Sequence, residues 1–134
     1  MTTSTPLNQK TNAIAFVNTA TTPGVLNGPL NIHHDRSRRD LRIVELHWGR
    51  SEKNKLAVNS KIVAYGSLNT GSETQPHYVY QQPLLHIFTN TPIPSGASHL
   101  LVWVTDAKET QHLYASRPLK SNEHLLPPSA SALE

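Results

Sequence analysis

Four arginines fall within seven residues and form the densest group of side chains that could bind a charged ligand: Arg36, Arg38, Arg39 and Arg42. Guanidinium groups match the geometry of phosphate and carboxylate oxygens, so this segment could bind phosphate or nucleic acid. Proteins that bind single strands also expose aromatic rings among the cations, whereas aromatics make up 6% of this chain. We therefore expect a solvated basic loop or a contact with an acidic protein, and nucleic-acid binding is the alternative.

Three adjacent residues, His33, His34 and Asp35, carry nitrogen and oxygen donors of the kind that zinc or nickel accepts. In an extended segment His33 and His34 point to opposite faces, so at most one of them could join a given site. A further ligand would then have to come from elsewhere in the fold. We expect a solvated turn here, with a metal site as the weaker alternative, and we expect no cofactor.

Three other histidines, His47, His86 and His99, fall within predicted strands, where surface or interface positions are expected. If several of them clustered, the protein would respond to pH in the range where histidine titrates.

No residue pattern in the sequence specifies a catalytic site. A Gly-x-Ser-x-Gly elbow, a phosphate-binding glycine loop and a His-Glu-x-x-His motif are all absent from it. We predict that the chain is not an enzyme. A small hydrolase or toxin-like effector remains a lower-ranked alternative, and a hydrogen-bonded Ser-His pair in a concave pocket would favour it.

Tyr78 and Tyr80 share one face of a predicted strand, and Gln81 and Gln82 follow them. A phenol ring beside amide groups could form a platform for a sugar or a peptide. Packing of the two rings across strands is the more common role for such a pair.

These side chains must be positioned by strands, because apolar residues recur at every second position and not at the spacing of a helix. In the clearest run, Leu41 to Trp48, the side chains of Val44, Leu46 and Trp48 share a face that we expect to be buried. Turn residues separate about eight such runs. The predicted runs are Ala13 to Asn18, Leu30 to His33, Leu41 to Trp48, Lys61 to Tyr65, His77 to Tyr80, Leu84 to Asn90, His99 to Thr105 and His112 to Ala115.

The run from Leu100 to Val104 is apolar on both faces, which predicts a central strand covered on both sides. The prolines, among them Pro29, Pro92 and Pro118, are expected to lie between strands, where a missing N–H costs little. Many short strands with regular turns predict an antiparallel β-sandwich over residues 12–117. Residues 1–11 and 118–134 have the composition of flexible segments.

Composition supports one soluble, folded domain. The chain has 134 residues, 37% of them hydrophobic and 16% charged, with no cysteine and a net charge of +3. Disulfides and thiolate metal sites are therefore excluded. No apolar run is long enough to span a membrane as a helix, and the first ten residues lack the apolar core of a secretory signal.

Three stretches carry a family resemblance: Ile14-Ala15-Phe16 to Gly28-Pro29-Leu30-Asn31-Ile32, Asp40 to Gly49 with its Trp-Gly ending, and Phe88 to Val102 with Pro94-Ser95-Gly96-Ala97. Together they resemble a bacterial fibronectin type III-like module of cell-surface proteins, over roughly Ile14 to Glu109. The resemblance implies an immunoglobulin-like sandwich of about seven or eight strands and a cell-surface or extracellular location. The basic segment after His33 departs from the family pattern, in which acidic residues are usual.

The sequence therefore predicts a recognition or structural module. We expect it to bind a protein or carbohydrate through loops or an edge strand, with no catalytic residues. The candidate binding residues are Arg36, Arg38, Arg39, Arg42, Tyr78 and Tyr80. An edge strand without charged side chains could also pair with another copy of the chain.

Overall fold

A computed structural model describes residues 13–33, 39–57 and 60–119 of the chain. Within these ranges the chain forms nine β-strands and no helix, which confirms the predicted all-β class. The strands are β1 (Ile14–Phe16), β2 (Val25–Ile32), β3 (Leu41–Gly49), β4 (Lys61–Gly66), β5 (Leu68–Asn69), β6 (Tyr78–Val79), β7 (Leu85–Pro92), β8 (His99–Asp106) and β9 (Gln111–Pro118).

Seven of the strands form two antiparallel sheets. The three-stranded sheet has the order β1-β2-β7, and the four-stranded sheet has the order β4-β3-β8-β9. The strands β5 and β6 form a separate two-stranded ribbon. In the larger sheet, β3 and β8 pair along their whole length, from Leu41 opposite Asp106 to Gly49 opposite His99.

The two sheets share one hydrophobic core, so the arrangement is sandwich-like. Val44, Leu46 and Trp48 of β3 are buried, as their alternation predicts. The ring of Trp48 lies 6.0 Å from the ring of Phe88 in the opposite sheet. Phe16 of β1 meets the same ring edge-on at 5.5 Å. Other fully buried side chains of the core are Leu26, Leu30, Leu41, Leu100, Val102 and Val104.

Strand β8 is covered on both faces, as its apolar sequence predicts. Leu100, Val102 and Val104 face the core, and Leu101 is also fully buried although it points to the other face of the sheet. The segment after β3 folds over that face, where Leu56 N donates to the carbonyl of Trp48 at 2.9 Å. The Lys55 ammonium lies 4.8 Å from the centre of the Trp103 ring.

The prediction that Pro29 lies between strands is wrong, because β2 begins at Val25 and includes it. The pairing with β7 is irregular between Leu26 and Gly28, and Gly28 has a φ of 119°, which favours glycine. The missing N–H of Pro29 removes no hydrogen bond between β1 and β2, because β1 ends at Phe16, opposite Leu30. Pro92 and Pro118 are the last residues of β7 and β9, where strand ends tolerate proline.

The ribbon was only partly predicted. Its second strand is shorter than the run from His77 to Tyr80, and its first strand, Leu68–Asn69, carries no alternation that could reveal it. Leu68 lies opposite Val79, and both side chains are largely exposed.

The chain enters and leaves the sandwich at opposite ends. Ile14 at the start of β1 lies opposite Ile32 at the end of β2. At the other end, Pro118 lies opposite His99, and Leu119 N donates to the carbonyl of Ser98 at 2.9 Å. Residues 67–84 and 107–110 connect strands at the end where β1 starts.

Candidate functional site

A cavity of about 580 Å³ opens at the end of the sandwich where β1 starts. It lies between the last residues of β2 and the segment that leads from β6 into β7. We call it the Tyr78–Tyr80 cavity; its lining includes His33, His77, Tyr78, Tyr80, Gln81 and Gln82. A smaller cavity of about 260 Å³ lies on the other side of Tyr80, against Tyr65 and Gly66 of β4.

Three hydrogen bonds hold the cavity wall against the sandwich. Tyr78 N donates to the carbonyl of Arg39 at 2.9 Å, and Ile32 N donates to the carbonyl of Leu84 at 2.8 Å. The phenol of Tyr80 donates to the carbonyl of Leu41 at 2.7 Å. Burial raises the pKa of Tyr80 to about 12, so the phenol keeps the proton that it donates well into the alkaline range.

The turn before Tyr78 is ordered by a side-chain amide. Asn69 Oδ1 accepts hydrogen bonds from the backbone N–H groups of Gly71 and His77, each at 2.9 Å. Thr70 N donates to the carbonyl of His77 at 2.8 Å. The position of His77 at the cavity therefore follows from the ribbon, which is anchored at its other end by the bond from Ser67 Oγ to the carbonyl of Arg42 at 2.7 Å.

The structure brings Tyr78 and Tyr80 to one cavity together with Gln81 and Gln82. The two rings differ in their freedom to meet a ligand, because the hydroxyl of Tyr80 is held by Leu41. The described residues that line the cavity include no lysine, arginine, aspartate or glutamate. The side chains present can donate and accept hydrogen bonds and offer a ring face, which is the chemistry that a polar, uncharged ligand requires.

None of the four arginines that the sequence groups together lines the Tyr78–Tyr80 cavity in the part of the chain that the structure describes. Arg36 and Arg38 lie outside the described residues. Arg39 is exposed and touches the cavity wall through its carbonyl. Arg42 points instead to the hairpin between β8 and β9, where Nη2 lies 3.8 Å from Glu109 Oε1 in a largely exposed pair.

Of the three predicted metal ligands, His33 lines the cavity, whereas His34 and Asp35 lie outside the described residues. Within residues 13–33, 39–57 and 60–119, no three histidines or carboxylates lie together in a way that could hold a metal ion.

A polar network that the sequence did not reveal lies on the outer face of the four-stranded sheet. Ser60 Oγ lies 3.0 Å from His47 Nδ1, and His47 Nε2 lies 2.7 Å from Glu45 Oε1. A neutral His47 satisfies both contacts, since Nε2–H donates to the carboxylate and the Ser60 hydroxyl donates to Nδ1. Burial lowers the pKa of His47 and outweighs the hydrogen bond to Glu45, which raises it.

Ser60, His47 and Glu45 are connected in the same order as the serine, histidine and carboxylate of a hydrolase triad, but Ser60 is buried. Ser60 is 3% exposed and lines neither of the two cavities. A catalytic serine needs its hydroxyl in reach of a substrate, and the described residues leave Ser60 almost no exposed surface. The expectation that His47 lies at a surface or an interface is wrong, because the residue is 4% exposed within the single chain. Glu45 and His47 share a face by alternation, but only the pairing of β3 with β4 brings Ser60 beside them.

The chain matches none of the protein-family models, curated proteins or solved structures with which it was compared. The resemblance to fibronectin type III-like modules therefore stays a prediction from the sequence. In the part of the chain that is described, no helix is long and apolar enough to cross a membrane.

Proposed function

We propose that this chain is a non-catalytic recognition module of the fibronectin type III or immunoglobulin-like kind, and that it binds a glycan in the Tyr78–Tyr80 cavity. The observation that carries the proposal is the lining of that cavity, which combines two tyrosines, two histidines and two glutamines in about 580 Å³. This volume lies within the range of roughly 300–1,000 Å³ that is usual for small-ligand sites.

The order of the strands supports the sandwich type. In immunoglobulin-like sandwiches the first, second and fifth strands share one sheet, and the third, sixth and seventh share the other. Here β1, β2 and β7 are neighbours in one sheet, and β3, β8 and β9 are neighbours in the other, with β4 added beside β3. The entry and exit of the chain at opposite ends suit a module that also spaces its neighbours along a longer protein.

The chemistry of the lining supports a glycan over an apolar ligand. Side-chain amides of Gln81 and Gln82 can each donate and accept, as the hydroxyl groups of a sugar require. The partly exposed ring of Tyr78 offers an apolar face on which a sugar ring can stack. Tyr80 positions this wall through its bond to Leu41, so the largest direct contribution is assigned to Tyr78.

The test is a glycan array followed by NMR titration of the full chain with the oligosaccharide that binds best. Replacing Tyr78 with Ala removes the ring and is expected to weaken binding about tenfold or more, because a stacked ring contributes on the order of 1–2 kcal/mol. Val17→Ala is the matched control, since Val17 is 76% exposed and does not line the cavity. Binding of no glycan at millimolar concentration, or equal binding by Tyr78→Ala, would contradict the proposal.

Binding of phosphate or nucleic acid is the second candidate. The bond from Tyr78 N to the carbonyl of Arg39 favours it, because this bond brings a cationic residue to the border of the cavity. Titration of the chain with single-stranded and duplex oligonucleotides at several salt concentrations tests this function. Affinity that falls steeply with salt and is lost in Arg39→Ala would support it, whereas unchanged binding in Arg39→Ala would refute it.

A further inference from the structure

The free edge of the three-stranded sheet is formed by β7, which contains no lysine, arginine, aspartate or glutamate. The long edge strands of the other sheet each carry a charged residue: β4 starts at the exposed Lys61, and β9 contains the buried Arg117, whose guanidinium lies 5.3 Å from the centre of the Phe16 ring. The other edge of the three-stranded sheet, β1, is only three residues long. The β7 edge is therefore the least protected of these four.

The direction of the backbone groups along β7 follows from two hydrogen bonds. Ile32 N donates to the carbonyl of Leu84, so Leu84 faces β2. Backbone groups alternate between the two sides of a strand, so those of Leu85 and Ile87 face away from the sheet. Both outward backbone groups of Leu85 already have partners, because its carbonyl accepts a hydrogen bond from Tyr65 Oη at 2.6 Å and its N–H donates to the carbonyl of Pro83 at 2.9 Å. Among the described residues the outward N–H and C=O of Ile87 have no hydrogen-bond partner, so a further strand could pair with them.

The side chains beside this edge form an uncharged face. Ile87 is 61% exposed and Leu85 is 37% exposed, although both are apolar. The neighbouring outward side chains of the sheet, on β1 and β2, also carry no charge: Ala15, Asn27, Pro29 and Asn31. The regular part of the edge ends at Asn90, whose φ of 43° interrupts the strand.

We propose that β7 pairs antiparallel with β7 of a second copy of this chain, about a two-fold axis at Ile87. Such a pairing is self-complementary, because Ile87 N–H and C=O of each copy meet the same groups of the other. It joins two three-stranded sheets into one of six strands.

The charge distribution favours a second copy over a charged partner. Each chain carries a formal net charge of +3, so two copies repel over most contacts. At the β7 edge no like charges are brought together, and the exposed Ile87 side chains meet. A charged partner would find no complementary charge on this face. Because the pairing uses few residues, we expect a weak dimer, with a Kd on the order of 10–500 μM.

The bond between Tyr65 and Leu85 limits the pairing. It occupies a carbonyl that a neighbouring strand would otherwise use, and it shortens the available edge. Replacing Tyr65 with Phe frees that carbonyl. Because the dimer is symmetric, the variant adds two hydrogen bonds, one from the freed carbonyl of each copy, and at about 1 kcal/mol each it should dimerise about thirtyfold more tightly.

Sedimentation velocity of the full chain between about 5 μM and 1 mM, a range that brackets the affinity of small interfaces, tests the proposal. The wild type and Leu68→Lys should dimerise alike, because Leu68 is an exposed apolar residue of the ribbon and not of the sheet that contains β7. Ile87→Lys should remain monomeric, and Tyr65→Phe should dimerise at lower concentration. Urea unfolding of each variant verifies that it is folded.

Amide hydrogen exchange gives a second measurement that does not depend on substitution. The amide of Ile87 should gain protection as the wild-type concentration rises. A wild type that stays monomeric at the highest concentration, an Ile87→Lys variant that dimerises like the wild type, or a Leu68→Lys variant that is monomeric would each overturn the proposal. Glycan binding by Ile87→Lys should be unchanged, because Ile87 does not line the Tyr78–Tyr80 cavity.

Discussion

The phenol of Tyr65 donates a 2.6 Å hydrogen bond to the carbonyl of Leu85 and so links the edge strands of the two sheets. Burial raises the pKa of Tyr65, which is consistent with a phenol that keeps its proton to donate. The contact closes one side of the sandwich between β4 and β7 without a backbone ladder. Its removal therefore measures how strongly the two sheets are joined there.

We predict that Tyr65→Phe lowers the free energy of unfolding by about 1 kcal/mol, because it deletes one hydrogen bond and leaves the ring in place. Urea denaturation at a low protein concentration, where the chain is monomeric, gives the value. Tyr78→Phe serves as the control, since no hydrogen bond from its hydroxyl is found among the described residues and its loss should be near zero. Equal unfolding midpoints for the wild type and Tyr65→Phe would show that the link is not stabilising.

Phe88 provides a test of the core. Its ring contacts Phe16 and Trp48 and is 1% exposed, so Phe88→Ala should cost about 3–5 kcal/mol through lost burial and the cavity left behind. The neighbouring residue Ile87 points the other way, and Ile87→Ala should change stability by less than about 0.5 kcal/mol. The free energies of unfolding of Phe88→Ala and Ile87→Ala, measured in urea, distinguish the inner from the outer face of β7. Similar costs at both positions would contradict the assigned faces.

Gly28 and Gly66 form a matched pair of glycines in strands. At Gly28 the φ is 119°, and an added Cβ would lie 3.2 Å from the carbonyl oxygen of Val17, so Gly28→Ala should cost about 1–3 kcal/mol. At Gly66 an added Cβ meets nothing within 4 Å, and Gly66→Ala should be neutral or stabilise by up to about 1 kcal/mol. Thermal unfolding measures both. A tolerated alanine at position 28 would show that β2 does not need its irregular backbone there.

The buried His47 should make stability depend on pH. Its pKa is below the usual 6.5 in the folded protein, so the unfolded chain takes up a proton more readily as the pH falls. Its contribution is fully present above about pH 6.5 and is lost as the pH falls through the lowered pKa. The pKa values of His86 and His99 are also lowered by burial and act in the same direction.

Urea unfolding between pH 5 and 8, where histidine titrates, measures this dependence. His47→Gln should flatten the curve, and at neutral pH it should cost about 1–2 kcal/mol for the disturbed bonds to Ser60 and Glu45. The exposed Leu68 provides the control, and Leu68→Gln should leave the slope unchanged, because the substitution alters no titratable group. A slope that is the same in wild type and His47→Gln would assign the pH response to other groups.

The sequence by itself determined the features that depend on near neighbours. Alternation along β3 predicted that Val44, Leu46 and Trp48 are buried, and the doubly apolar run predicted that β8 is central. These properties follow from the period of two residues that any strand imposes on its own side chains.

Only the tertiary structure decided which strands pair and which side chains meet across them. The inclusion of Pro29 in β2 depends on where β1 ends, and the burial of His47 depends on Ser60, thirteen positions along the chain. The cavity likewise requires His33 and Tyr78 to meet from separate segments. Such contacts depend on sheet order and register, which are set by the packing of the whole core and not by any local pattern.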